Sequence, residues 1–574
     1  MGICKFTNEL NRLRKSSSDS IDNTEYFDEF KKYMHVTRTA ETDLKEILRN
    51  VNHSNKKTLV LLCGSAGDGK SHLLSYLKNC DEEHLIDNYT IYNDATESSA
   101  PSKTAIETLY DLLSPFTDNK LEFPGKNVIL AINLGVLSNF IESEYGIEFT
   151  KLHKYVEESN ILTNQINNNN FDENGHFQHV SFSDYHMYSL TEEGVRADYI
   201  DAIFNKIFMK KDKNIFYQAY KSECRACPLS MKCPVKMNYE FMMEERHQVY
   251  IAQLLIETVI KDKMILTTRE ILNFVYNIIV SQDFSYTNIQ KFLVDESLYL
   301  RNFLKQITPS LLFGSKDVSS LLNMVMKYDP LQIRNERTDE SAISYYVSSD
   351  VGENLESVLK WEPYGSILCD NSVILKINSD KELKLSLYKL MIRINAFEEK
   401  FIQDDIYKMY LSDLFFYNAG KARRLANLYG MIEKAIAQWC GSDEDGNLCI
   451  DDKHRDFSFY EHVEYNANLV NLPRHVDETE IQRFIPSIVT SFNGDNNEII
   501  SLDIDYSLYE LLAKLNAGYI QTADDRNNHA DFISFVDRII QTGQLSKSVT
   551  IISEDGKKAI ISLGTFGYKF KVVK

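Results

Sequence analysis

The sequence predicts an α/β fold near the N-terminus, followed by a large α-helical middle region and a small C-terminal α/β domain. Between residues 56 and 190, short apolar runs of strand type alternate with helical patterns, which indicates a parallel sheet covered by helices. From about Gln248 to Tyr429, apolar residues recur with helical spacing, and strand patterns return near the C-terminus. We therefore divide the chain into an N-terminal helical segment 1–55, an α/β core 56–190, a lid 191–290, a mainly helical domain 291–480 and a small α/β domain 481–574.

The composition is that of a folded, acidic protein in a reducing compartment. The 574 residues are 43% hydrophobic and 25% charged, and no long uncharged apolar run is present to cross a membrane. A net charge of −20 argues against a broad DNA-binding surface, so any DNA contact is expected to be local or made by a partner. Nine cysteines, an odd number, indicate reduced thiols and a cytoplasmic location.

The elements of the core follow in order along the chain. A helical pattern over residues 22–50 precedes the first apolar run, and helices are predicted from Lys103 to Leu113 and from Thr191 to Phe208. Thr191 is suited to cap the latter helix, with the two following glutamates in its first turn. Strand patterns occur at 58–63, 89–93, 128–132 and 180–182.

Residues 58–71 read TLVLLCGSAGDGKS, a strand-type run that leads directly into Gly-x-x-x-x-Gly-Lys-Ser. This is a complete Walker A motif between a strand and a helix, and it predicts a site for ATP and Mg²⁺. Lys70 would reach the β- and γ-phosphates, and the Ser71 hydroxyl would ligate Mg²⁺. Asp68 is unusual in an anion site and is expected to face solvent, the helix N-terminus or a Mg²⁺-bound water. The predicted nucleotide-binding residues are Gly64, Ser65, Ala66, Gly67, Asp68, Gly69, Lys70, Ser71 and His72.

Hydrolysis also requires an acid for Mg²⁺ and a group that orients the attacking water. Asp94 and Glu97 lie together in TIYNDATE, and Asn133 follows the strand pattern 128–132. We favour Asp94 for Mg²⁺ or its water shell, Glu97 for water and Asn133 as a γ-phosphate sensor like that of AAA+ ATPases. Two alternatives stay open: the acids only cap a strand or a helix, or Asn133 takes the working position.

A cysteine cluster lies in the predicted lid. Cys224 and Cys227 form a Cys-x₂-Cys pair, and Cys233 follows six residues later, directly before a proline. This spacing favours a metal site that staples a small insertion, with Zn²⁺ preferred over an iron–sulfur cluster. His247 or Cys80 are candidates for the fourth ligand, and unligated thiols are the alternative.

An arginine at the start of a predicted helix lies in Thr267-Thr268-Arg269-Glu270. A Thr-x-Arg-Glu helix start after the core resembles the sensor-2 helix of AAA+ lids, in which the arginine reaches back to the nucleotide. A cation in the first turn of a helix opposes the helix dipole unless it serves another group, so Arg269 is a candidate catalytic residue. An ordinary Arg–Glu surface pair is the alternative.

Taken together, these motifs resemble the DptF family, the ATPase components of bacterial restriction modules tied to DNA phosphorothioation. The order and spacing of the motifs carry the resemblance, which covers about the first 340 residues: LLCGSAGDGKSHLL (61–74), YNDATES (92–98), ILAINLGVL (129–137), the cysteine cluster, LTTREILNF (266–274) and YDP…R (328–334). The resemblance implies an α/β P-loop NTPase core of AAA+ type with a helical lid.

The resemblance also implies a function and partners. Such a chain binds and hydrolyses ATP to gate or assemble an antiviral restriction complex with DptG-like and DptH-like subunits, and the complex acts on DNA that lacks the sulfur modification. No nuclease signature accompanies the Walker A motif in this sequence, so DNA cleavage is expected elsewhere in the complex. The alternative function is a stand-alone signalling NTPase that oligomerises when it binds nucleotide.

Overall fold

The computed structural model of the chain describes most of its residues. No helix within the described ranges combines the length and the apolar character needed to span a bilayer. The described residues are 4–18, 28–54, 56–65, 67–93, 104–163, 166, 171–285, 289–290, 295–333, 336–348, 351–360, 362–398, 404–451, 456–470, 472–473, 478–494 and 498–573.

A four-stranded parallel sheet organises the N-terminal part of the chain, as the strand–helix alternation predicts. Its spatial order is β2–β3–β1–β4, so the first strand lies in the interior between the third and the fourth. The register aligns Cys63, the last residue of β1, with Ile132 of β3 and Ser181 of β4. The strands are β1 (Leu59–Cys63), β2 (Tyr89–Tyr92), β3 (Asn127–Ile132) and β4 (Phe177–Ser181).

Helices cover both faces of this sheet because β1 is apolar at every position. Leu59, Leu61 and Cys63 pack toward α5, α6 and α7, whereas Val60 and Leu62 pack toward α3 and α4. A strand that is buried on both faces is the expected centre of a parallel sheet. The helices of this region are α1 (Lys5–Ser18), α2 (Glu29–Met34), α3 (Thr39–His53), α4 (Lys70–Cys80), α5 (Ala105–Leu113), α6 (Leu134–Ile141) and α7 (Thr150–Glu158).

The predicted helix from Thr191 to Phe208 is wrong in its first turns. Thr191 ends strand β5 (Tyr185–Thr191), a turn follows, and β6 (Gly194–Arg196) returns before helix α8 begins at Asp198. Gly194 has a φ of +137° and its carbonyl accepts a hydrogen bond from the Thr191 hydroxyl at 3.0 Å. The glycine therefore makes a tight turn possible where Thr-Glu-Glu imitates a helix start.

The chain forms two compact units. The first contains Met1–Ser189 and Ala197–Ile402, and the second contains Leu190–Arg196 and Gln403–Lys574. Beyond the sheet the first unit is helical: α8 (Asp198–Phe208), α9 (Ile215–Ala226), α10 (Pro234–Met242), α11 (Glu245–Lys261), α12 (Thr268–Ile279), α13 (Glu296–Gln306), α14 (Thr308–Gly314), α15 (Ser320–Val325), α16 (Glu336–Val347), α17 (Val351–Leu359), α18 (Gly365–Leu368), α19 (Asn371–Ser379) and α20 (Lys381–Glu398).

The second unit combines helices with antiparallel sheets. One sheet has the order β12–β11–β9, a five-stranded sheet has the order β15–β14–β13–β8–β7, and a further three-stranded sheet has the order β10–β5–β6. Strands therefore begin at Leu448, earlier than the predicted small domain. The elements are α21 (Asp405–Asn418), α22 (Ala426–Cys440), β7 (Leu448–Asp451), β8 (Phe457–Glu464), β9 (Asn466–Asn468), β10 (Glu480–Arg483), β11 (Ile488–Asn493), β12 (Ile499–Ile504), α23 (Tyr506–Asn516), α24 (Ala523–Asn528), α25 (Ala530–Thr542), β13 (Gln544–Ser553), β14 (Lys558–Gly564) and β15 (Gly567–Val573).

Candidate functional site at the carboxyl edge of the parallel sheet

The Walker A residues form a bent loop between β1 and α4. Gly67 and Gly69 have φ values of +93° and +94°, a region of backbone conformation that residues with a Cβ rarely adopt. Gly69 in this conformation is the N-terminal cap of α4, so the chain turns directly from the loop into the helix. Ala66 lies outside the described residues, and Ser71 is the second residue of α4. The loop therefore presents its backbone at the positively polarised end of a helix.

Lys70, the first residue of α4, bends back over the loop. Its ammonium group donates hydrogen bonds to the carbonyl oxygens of Gly64, at 2.9 Å, and Ser65, at 2.6 Å. The side chain is only 9% exposed, so its charge acts in a partly desolvated setting where electrostatic interactions are stronger than in water. An anion that enters the loop would meet a cation already held in place.

Asp68 turns its carboxylate back into the loop. The backbone N–H of Ser65 donates to Asp68 Oδ2 at 2.5 Å, and a Cβ on Gly64 would lie 2.6 Å from the same oxygen. Burial raises the pKa of Asp68, and the nearby charge of Lys70 partly offsets this. The carboxylate thus accepts the hydrogen bond of a backbone N–H that a phosphate oxygen would otherwise accept. The sequence favours an orientation toward solvent or the helix N-terminus, with a Mg²⁺-bound water as a further partner, whereas in the structure the carboxylate accepts from the Ser65 N–H inside the loop.

We expect Asp68→Asn to tighten the binding of Mg-ATP by roughly fivefold, about 1 kcal/mol, because a neutral amide competes less well for the Ser65 N–H and no longer repels phosphate. The measurement is the dissociation constant from titration calorimetry at fixed salt. Asp87→Asn is the matched control, because it removes the same charge from an exposed turn outside the loop. Equal or weaker binding by Asp68→Asn would contradict this role of the carboxylate.

Arg38 is a site residue that the sequence did not reveal. Its guanidinium donates to the backbone carbonyl of Asp68 at 2.8 Å and to that of Tyr185 at 3.1 Å. It also lies over the rings of Phe182 and Tyr199, at 5.6 and 5.5 Å from their centroids. Arg38 therefore ties the segment before α3 to the loop and to the chain that follows β4. A single arginine ahead of a helix forms no motif, so its partners emerge only from the fold.

We expect Arg38→Ala to weaken Mg-ATP binding roughly tenfold, about 1.4 kcal/mol, because the loop loses the charge-assisted hydrogen bond to the Asp68 carbonyl that ties it, through Arg38, to Tyr185. Titration calorimetry measures the change. Arg49→Ala in α3 is the matched control, since Arg49 pairs with Glu83 on the surface, away from the loop. If both variants bind Mg-ATP like the parent, Arg38 does not support the site.

The His72 side chain packs against His35 instead of facing the loop. Its Nε2 lies 3.2 Å from Nδ1 of His35, whose ring stacks on Tyr76 and lies 3.0 Å from the carboxylate of Glu41. Burial lowers the pKa of His72 to about 4, with the nearby charges of His35 and Lys31 acting in the same direction. His72 is therefore neutral near pH 7 and adds no charge to the predicted phosphate site.

Asn133 lies at the same edge of the sheet as the loop. It follows β3 directly, and because Ile132 is aligned with Cys63, Asn133 and Gly64 are the residues that follow two paired strand ends. Asn133 directly precedes α6. The structure describes every residue of this helix, and the Asn133 side chain makes no capping hydrogen bond to it. Asp94 and Glu97 lie outside the described residues; β2, which precedes them, is the strand beyond β3.

The first turn of α12 also reaches the loop. A Cβ on Gly67 would lie 3.2 Å from the Thr267 methyl group, and Thr267 caps α12. Glu270 completes a capping box, because its carboxylate accepts from the Thr267 backbone N–H at 2.9 Å. Glu270 is thus engaged by the cap, and Arg269, which is half-buried, lies in the same first turn. The structure therefore brings the predicted sensor-2 helix to the Walker A loop.

The predicted metal residues lie at the junction of α9 and α10. Cys224 is near the end of α9, Cys227 follows that helix, and Cys233 directly precedes α10. Within the described part of the chain, no three side chains of His, Cys, Asp or Glu are arranged to hold a metal ion. Both ring nitrogens of His247 lie near other groups: Nδ1 is 2.6 Å from the Phe241 carbonyl, and Nε2 is 3.5 Å from the Glu362 carboxylate.

No family model, no curated protein and no solved structure matches this chain.

Proposed function

We propose that this protein binds ATP with Mg²⁺ at the loop 64–71 and hydrolyses it. The observation that carries the proposal is Lys70, held by two loop carbonyls at the start of α4 and at the carboxyl edge of a parallel sheet. Ligands of open parallel α/β sheets bind at this edge. Backbone donors, a helix N-terminus and a poised lysine together supply the contacts that a triphosphate requires.

Each neighbouring group has a distinct task in this proposal. Lys70 exchanges its two neutral carbonyl partners for phosphate oxygens, and the Ser71 hydroxyl ligates Mg²⁺. Asn133, at the same edge of the sheet, contacts the γ-phosphate, while Arg269 approaches from the first turn of α12 and stabilises charge that develops during transfer. Asp94 binds Mg²⁺ or its water shell and Glu97 orients the attacking water.

We further propose that this ATPase is a subunit of a bacterial restriction complex that acts on DNA lacking phosphorothioate modification. The motif resemblance supports this setting, with DptG-like and DptH-like subunits as partners. The net charge of −20 favours DNA contact through those partners rather than through this chain. Nucleotide turnover here would gate or assemble the complex, and another subunit would cut the DNA.

The test is the ATPase rate of the purified chain alone, with the co-expressed neighbouring gene products, and with those products plus modified or unmodified DNA. The restriction proposal predicts stimulation that requires the partners and is stronger with unmodified DNA. A signalling switch would instead self-associate on nucleotide binding without DNA, which light scattering detects. Nucleotide-driven self-association together with an ATPase rate that ignores partners and DNA would contradict the restriction setting.

A further inference from the structure

A fourth cysteine lies next to the cluster at the junction of α9 and α10. Cys4 directly precedes α1, and its carbonyl accepts hydrogen bonds from the backbone N–H of Asn8 and the hydroxyl of Thr7. Helix α1 packs along α9. Lys5, which follows Cys4, forms an ion pair at 3.8 Å with Glu223, which precedes Cys224. The start of α1 therefore lies beside the end of α9.

The same neighbourhood includes the start of α10. The ring of Phe6 packs edge-on against Tyr220 of α9 and Tyr239 of α10, with centroid distances of 5.8 and 5.0 Å. Tyr220 lies one helical turn before Cys224, and Cys233 directly precedes α10. Two contacts of one buried ring thus hold together the three chain segments that carry the four cysteines.

We propose that Cys4, Cys224, Cys227 and Cys233 form one four-thiolate metal site, with Cys4 as the ligand that the sequence spacing left unassigned. Four thiolates are the donor set of structural zinc and of a [4Fe–4S] cluster. The packing of α1 along α9 brings Cys4 to the cysteines at the α9–α10 junction. The described side chains do not yet surround a metal position, and a bound metal would draw the four sulfur atoms to a common centre. Metal binding here would not require nucleotide at the loop 64–71.

A metal ion would also meet a need of these thiols. Cysteine binds metal as the thiolate, and several thiolates close to one another are costly without a counter-charge, which a metal ion supplies.

The site would connect the N-terminus to the candidate nucleotide site. Helix α1 packs against α12 as well as α9, and the cap of α12 touches Gly67. A metal that fixes the start of α1 therefore also supports the helix that carries Arg269. Metal loss is expected to lower the melting temperature of the protein, because the α9–α10 junction is a polar turn with exposed residues.

The test is the metal content of the full-length protein purified under anaerobic conditions. We expect about one zinc per chain, or about four irons with sulfide and absorbance near 400 nm. Cys4→Ser and Cys227→Ser are each expected to lose metal to a competing chelator at least roughly tenfold more readily than the parent. Cys369→Ser is the matched control, because Cys369 lies by Leu355 in the helical region and should retain the metal.

X-ray absorption at the metal edge of the unaltered protein counts the sulfur ligands and does not depend on whether a variant folds. Four sulfur atoms around one metal centre support the site. Three sulfur atoms with a nitrogen or oxygen ligand would overturn the assignment of Cys4. Protein free of zinc and iron, a disulfide within the cluster, or Cys4→Ser protein that holds metal as well as Cys369→Ser would overturn the proposal as well.

Discussion

Replacing Lys70 with alanine is expected to lower ATP hydrolysis roughly 100- to 1000-fold. The reason is that Lys70 supplies a nearly buried cation at the mouth of the loop, 2.9 Å from the Gly64 carbonyl and 2.6 Å from that of Ser65. The alanine side chain carries no charge, so the phosphates lose this cation. Alanine is also a good helix-forming residue, so the start of α4 is expected to stay folded. Phosphate release from purified protein at saturating Mg-ATP measures the effect.

The matched control is Lys78→Ala. Lys78 lies in the last turn of the same helix, is exposed, and is far from the loop, so its loss removes an equal charge without touching the site. Melting temperatures of both variants should stay close to that of the parent. Normal ATP turnover by folded Lys70→Ala protein would show that the loop takes no part in hydrolysis.

Glu97→Gln is expected to slow ATP turnover roughly 100-fold or more, while Mg-ATP still binds, because glutamine cannot accept a proton from the attacking water. Asp94→Ala is expected to weaken Mg-ATP binding instead, because it removes the carboxylate assigned to the metal. Single-turnover rates and calorimetric dissociation constants separate the two effects. Both residues lie outside the described ranges, so the prediction rests on their sequence position after β2.

Asn133→Ala tests the alternative assignment, in which Asn133 at the end of β3 takes the working position instead of the two acids. If Asn133 takes the working position, its alanine variant should lose more turnover than Glu97→Gln. Glu82→Gln, in an exposed turn, is the control for a change of one carboxylate to an amide. Normal turnover by both Asp94→Ala and Glu97→Gln would show that the acids only cap their strand or helix.

The sequence predicts the parts of this fold that depend on local patterns. The fully apolar run Leu59–Cys63 and the glycines that follow it define an interior strand and a bent loop without reference to any distant residue. The parallel sheet follows from the repeated strand–helix alternation. The start of α8 was predicted incorrectly because Thr191-Glu-Glu resembles the capped first turn of a helix. Only the long-range pairing of β5, in which Thr191 is the last residue, makes this segment a strand end.

Residues that act through distant contacts were not predictable in this way. Arg38 meets Asp68 across 30 positions and Tyr185 across 147, and no local pattern marks an arginine for such partners. Cys4 lies more than 200 residues before Cys224, so its role depends on the packing of α1 along α9. The orientation of Asp68 is likewise a matter of loop geometry, because its partner is a backbone N–H rather than a side chain.

The most direct test of the central claim is calorimetric titration of the purified full-length chain with a non-hydrolysable ATP analogue, with and without Mg²⁺. The account predicts one Mg²⁺-dependent site per chain, which Lys70→Ala abolishes and Lys78→Ala retains. Absence of binding by the parent protein, or equal binding by parent and Lys70→Ala, would contradict a nucleotide site at the loop 64–71.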